Sequence, residues 1–221
     1  MAKQNKNKTN ESTPNWQELY IQFVLEHNKR PQSAYEFCKF ASVDENTFYE
    51  TYGTIDALES NIWLYFFVET KNQILADEQY QAYSVREKLL AFDYTWLENL
   101  RSHRSFITLV LSSQSSPMWQ KKAAFTKFKE EFMAYAQELL SEAQETEEVK
   151  NRNIINNAYP KILWGQTMYL LNFWIKDASS NFEQTDAAVE KSVNLFFDLT
   201  GHSFIDSFID FTKFSFQNLK F

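Results

Sequence analysis

The sequence predicts an all-α protein with a small helical head and a larger helical body. Three observations predict it. The 221 residues include only 3 Gly and 4 Pro, too few for the turns of a sheet protein. Apolar residues recur at spacings of three and four through nearly every segment. Hydrophobic residues make up 44% of the chain and aromatics 17%, with 21 Phe, enough for a sizeable core. The net charge of −7 argues against non-specific binding to nucleic acid or anionic membrane.

Residues 1–14, MAKQNKNKTNESTP, are polar and low in complexity, and read as a disordered tail made basic by Lys3, Lys6 and Lys8. They lack the apolar core of a signal peptide, so a cytoplasmic protein is expected. Asn15 can cap a first helix, whose stripe Trp16, Leu19, Tyr20, Phe23 and Val24 marks one buried face. That helix ends near Asn28, with His27 in its last turn, where a cation is favourable.

Residues 31–58, PQSAYEFCKFASVDENTFYETYGTIDAL, read as two short helices and the start of a third. Ser33 can cap the first, which carries Ala34, Phe37, Cys38 and Ala41 on one face. Ser42 and Val43 form the turn, and Asp44 to Tyr49 form the second helix. Gly53 is expected to take the left-handed conformation that ends it. Thr54 then caps a long helix running through Leu58, Ile62, Tyr65 and Phe66 to about Ala76. Cys38, the single cysteine, is expected to be a buried thiol.

The body continues after a polar break at residues 77–84. Ser84 caps the next helix, with Glu87 at the capping-box position and Leu89, Phe92, Trp96 and Leu100 on its apolar face. A second apolar stretch from His103 closes in a Ser-rich loop, and Pro117 suits the first turn of the next helix. Phe125, Phe128, Phe132, Tyr135 and Leu139 stripe that helix. A helix from about Arg152 to Asp177 is apolar nearly all round. Pro160 is expected to kink it, and Gly165 to let a neighbour approach. Val189, Val193 and Phe196 stripe the helix after it, a pattern that suits a helix-pair interface. Phe204, Phe208, Phe211 and Phe214 stripe a last, amphipathic segment.

The run from Phe37 to Leu58 resembles the tetracycline-repressor (TetR) family of transcription regulators. Phe37-Cys38 stand in the family's Ile-Ala place, Ala41-Ser42-Val43 in its Ala-Gly-Val, and Thr47-Phe48-Tyr49 match its Thr-Phe-Tyr. Tyr52 matches the following Phe, Thr54-Ile55-Asp56 take the Ser-Lys-Glu place, and Leu58 closes the match. The resemblance implies a helix-turn-helix DNA-binding domain at residues 15–60 and a ligand-binding and dimerisation domain at residues 61–221. It implies DNA contacts from Lys39, Asn46, Thr47, Tyr49 and Thr54. It implies a homodimer through the helices holding residues 161–176 and 182–199. A small apolar or aromatic ligand is expected near Phe92, Trp96, Trp119, Phe128, Phe132, Trp164 and Met168.

Charge argues the other way at the head. Ile55 stands in the place of the family's phosphate-binding Lys. From Asn15 to Ser60 there are eight acids and three bases, a net charge of −5, whereas DNA affinity comes mainly from Lys and Arg on phosphates. A second resemblance supports an alternative. Trp174-x-x-Asp177-x-Ser179-x-x-Phe182-x-x-Thr185 is similar to a run in the lipid-binding protein family of coenzyme Q biosynthesis, which shares the fold. That implies a protein that does not read DNA and carries a lipid or isoprenoid, or acts through protein partners. The residues alone read more simply there: Asp177 and Ser179 turn one helix into the next, with Phe182 as a staple. No metal-ligand spacing, phosphate loop or nucleophile motif is present, so neither an enzyme nor a cofactor is expected. No apolar run is long enough to span a membrane.

Overall fold

A computed structural model describes residues 14–112, 123–152 and 156–201. Among the described residues all regular structure is helical, as α1 (Trp16–His27), α2 (Ala34–Ala41), α3 (Glu45–Thr51), α4 (Ile55–Ala76), α5 (Val85–Arg101), α6 (Arg104–Ser112), α7 (Thr126–Glu145), α8 (Tyr159–Lys176) and α9 (Glu183–Gly201). The basic tail up to residue 13, Pro117, Trp119, Ile155 and the Phe-rich end from residue 202 lie outside the described residues.

The caps read from the sequence form. Asn15, Ser33 and Thr54 side chains accept from Glu18 N, Glu36 N and Ala57 N, and Ser84 and Glu87 make a full capping box. Asp44 lies one residue outside α3 and caps it by accepting from Asn46 N. The left-handed conformation expected at Gly53 is not taken, whereas Ser42, in the place of the family's turn Gly, takes one. No glycine among the described residues has positive φ. Asn28 and Ser42 do, at 53° and 55°, closing α1 and α2. At Ser42 the turn is held by Val43 N donating to Cys38 O at 3.0 Å. Pro160 kinks nothing. It lies in the first turn of α8, where its missing N–H is no loss.

Trp16, Tyr20, Phe23, Phe37 and Phe48 pack ring on ring to hold α1, α2 and α3 together. Cys38 is buried among them. The long α4 leaves this head and runs into the body, where it packs against α5 and α7. The α1–α4 contact is tied by a polar cluster. The Tyr20 hydroxyl donates to buried Glu59, and Arg30 Nε meets the same carboxylate at 2.6 Å. Tyr20 also meets Phe106 of α6 edge-on.

The body is layered, with α5 between α4 and α9, and α8 between α7 and α9. The α8–α9 connection is built on one carboxylate. Asp177 Oδ1 accepts from Ser179 N and Oγ at 2.8 and 2.6 Å, and Oδ2 accepts from Thr185 N and Oγ1 at 2.9 and 2.6 Å. Burial pushes this carboxyl up, but those hydrogen bonds win and hold it at about 2. Arg104 donates to the carbonyls of Trp174, Ile175 and Asp177 and lies against the Trp174 and Phe182 rings. The Trp174-to-Thr185 run therefore serves as a helix-to-helix turn.

Candidate functional site

Three places carry chemistry: the helix-turn-helix face, a buried aromatic cluster, and a groove on α8 and α9. On the head, Lys39, Asn46, Tyr49 and Thr54 are exposed and Thr47 is half-buried. Thr54 Oγ1 is used in its cap, at 3.1 Å from Ala57 N. Tyr35 and Tyr49 are both more than half exposed, and Tyr49 meets the Phe48 ring edge-on. The head's cations are largely neutralised from within. Lys29 pairs with Glu36 at 2.7 Å, and Arg30 bridges Asp56 and Glu59. Lys39 has no carboxylate partner among the described residues.

The head is joined to the body at the start of α4. Lys127 of α7 donates from its backbone N to Ser60 Oγ at 3.3 Å and from Nζ to Asn61 Oδ1 at 3.0 Å. Asn61 Nδ2 in turn donates to the Tyr52 hydroxyl at 3.1 Å, at the end of α3. Sequence periodicity could not reveal this chain, because bonds between side chains of different helices leave no mark on residue spacing.

In the body, Phe92, Trp96, Phe128, Phe132 and Trp164 come together from three helices, with ring centroids 5.0–6.4 Å apart. Met168 is buried in the same core. Beside the rings, Asp93 is only 1% exposed. Burial pushes its carboxyl up to about 8, opposed only by a long hydrogen bond from Gln166 Nε2 at 3.5 Å. No sequence motif marks Asp93. Its position between Phe92 and Trp96 on the apolar face of α5 was the available signal.

The groove lies on the outer side of α8 and α9 and encloses about 880 Å³. Ile162, Gly165, Tyr169 and Phe173 line one wall, and Ala188, Leu195 and Leu199 line the other. Ile162, Tyr169 and Leu195 are 50%, 52% and 58% exposed, an apolar face that none of the described residues covers. A Cβ added at Gly165 would meet nothing within 4 Å. Val189 and Val193 of the predicted stripe point inward to the protomer's own core, while Phe196, itself buried, also lines the groove. Among the described residues no group of His, Cys, Asp or Glu could hold a metal ion. None of the described helices is long and apolar enough to cross a membrane.

A helix-turn-helix head on a long connecting helix, with a helical body beyond it, defines a TetR-like all-α protein. The family model for the tetracyclin repressor-like C-terminal domain matches residues 88–214, more than half of the chain. The chain belongs to this family, which groups it with the TetR-family regulators in general. A comparison with curated proteins gives no match.

Proposed function

We propose that the chain is a homodimeric, ligand-responsive transcriptional regulator, divided near residue 60 into a DNA-binding head and a ligand-binding and dimerisation body. The observation that carries this reading is the bonded path from α7 through Lys127, Asn61 and Tyr52 to the end of α3. A ligand that shifts α7 against α4 has a physical route to the reading helix, and it acts by differential binding to two arrangements. Lys39, Asn46, Thr47, Tyr49 and Thr54 are the proposed DNA contacts. Phe92, Trp96, Phe128, Phe132, Trp164 and Met168 are the proposed ligand surroundings, with Trp119 from outside the described residues. The α8–α9 groove is the proposed dimer surface, because two copies can bury each other's exposed Ile162, Tyr169 and Leu195 there.

The test is binding of the full chain to a fluorescent duplex carrying its own upstream region, at low and moderate salt. Tight binding that falls steeply with salt is the expected result. Deleting residues 1–14 removes Lys3, Lys6 and Lys8 from each protomer and should flatten the log–log salt slope of the dimer by up to roughly 5. A folded dimer that binds no duplex even at low salt would overturn the reading.

A second reading rests on the paired cations of the head. With Lys29 and Arg30 engaged by Glu36, Asp56 and Glu59, a protein without DNA binding that carries a lipid or isoprenoid in the apolar groove is the alternative. Lipid co-purifying with the protein, found by mass spectrometry, together with absent duplex binding, would favour it.

A further inference from the structure

Two buried polar groups in the body have no hydrogen-bond partner among the described residues: Asp93 Oδ1 and the Trp96 indole N–H. They lie one helical turn apart on α5, and both side chains are sealed from solvent. Buried polar atoms are nearly always paired, so two orphans on one face of one helix ask for a ligand that pairs them. Among the described residues no cation contributes to the surroundings of Asp93. The groups that sense its charge are Tyr94 on its own helix and Tyr135 on α7, and its one bond is the long contact from Gln166 on α8. The Trp96 indole, one turn along α5 from Asp93, belongs to the ring cluster of Phe92, Phe128, Phe132 and Trp164. Aromatic faces carry negative charge density and attract cations.

We propose that Asp93 anchors a lipophilic organic cation: a protonated amine on an apolar or aromatic body, with an acceptor oxygen placed to take the Trp96 N–H. The proposal rests on the ligand-responsive reading above and names the class of ligand. The ammonium supplies the counter-charge that the carboxyl lacks, and the rings enclose the body of the molecule. Of the five rings only Trp164 is partly exposed, so it is the side chain that must turn to admit the ligand. Gln166 stands between Asp93 and the outer groove and yields its weak bond to the incoming amine.

Tryptophan fluorescence of the full-length protein tests this, because Trp96 and Trp164 line the site. The titrants are matched probes of one shape: phenylbutylamine, phenylbutanol and phenylbutyrate, and the corresponding naphthyl set. The amines should give a saturable change and bind about tenfold or more tighter than the alcohols, with the acids weakest. Asp93→Asn should erase the preference for amine over alcohol, and Asp93→Leu, which has no amide to attract the amine, should erase it too. Alcohols binding as tightly as amines would overturn the cation while leaving a ligand-responsive protein. Failure of every probe to bind would overturn both. An amine preference that survives in both variants would overturn the role of Asp93.

Discussion

Replacing Asp93 by Asn should stabilise the protein, and by more at neutral than at acid pH. Asp93 is buried and its carboxyl is pushed up to about 8, whereas an unfolded Asp titrates at ~3.9. A carboxyl raised on folding carries no penalty below the unfolded value. The penalty grows as pH rises through the interval and levels off above the folded value. At about pH 7 the folded protein must hold a proton that the unfolded chain releases, at a cost of ~4 kcal/mol. At about pH 5 the same cost is about 1–2 kcal/mol. Asn has the shape of the protonated acid and can keep the Gln166 contact through its own amide, so it removes the cost without opening a cavity. Urea unfolding of both proteins at the two pH values reads the difference directly. The variant should gain a few kcal/mol at about pH 7, and roughly 10 °C in Tm by the usual scaling for a chain of this size. Equal stability at both pH values, or a loss at neutral pH, would refute the reasoning, because it would mean that Asp93 has a partner or is hydrated.

The same contacts have other consequences. Gly165→Trp and Leu195→Glu should each leave helix content unchanged and convert a dimer to a monomer in light scattering coupled to gel filtration; a persistent dimer would exclude the α8–α9 face as the interface. Tyr20→Phe removes one hydrogen bond from buried Glu59 and should cost roughly 1–3 kcal/mol in denaturant unfolding. Asp177 has a folded value depressed to about 2, so the stability it lends is full above ~4 and is lost as pH falls through about 2. Asp177→Ala should therefore lower Tm at neutral pH, and the difference from the unaltered protein should shrink on strong acidification. Asn61→Leu cuts the Lys127–Tyr52 path; if DNA is bound, ligand should then no longer release it, while duplex affinity without ligand stays near its starting value.

The elements were legible in the sequence because helix ends are local chemistry. Asn15, Ser33, Thr54 and Ser84 each satisfy free N–H groups within three residues, so their effect is visible without tertiary knowledge. The head's ring packing arises from spacing too, since Trp16, Tyr20 and Phe23 fall on one face whatever they pack against. Similarly, Asp177 with Ser179 announced a turn. Tertiary structure decided what spacing cannot. Periodicity says that a face is apolar, not whether its own protomer covers it. That is why Val189 and Val193 turned inward while Leu195 and Leu199 line an open groove. Spacing also cannot tell which residue takes a left-handed turn, because that depends on how the chain must leave the helix. Ser42 took it and Gly53 did not. The buried carboxyl of Asp93 likewise exists only in three dimensions: an acid beside an apolar stripe becomes a sealed group whose one hydrogen-bond partner is Gln166 of α8, with no counter-ion among the described residues.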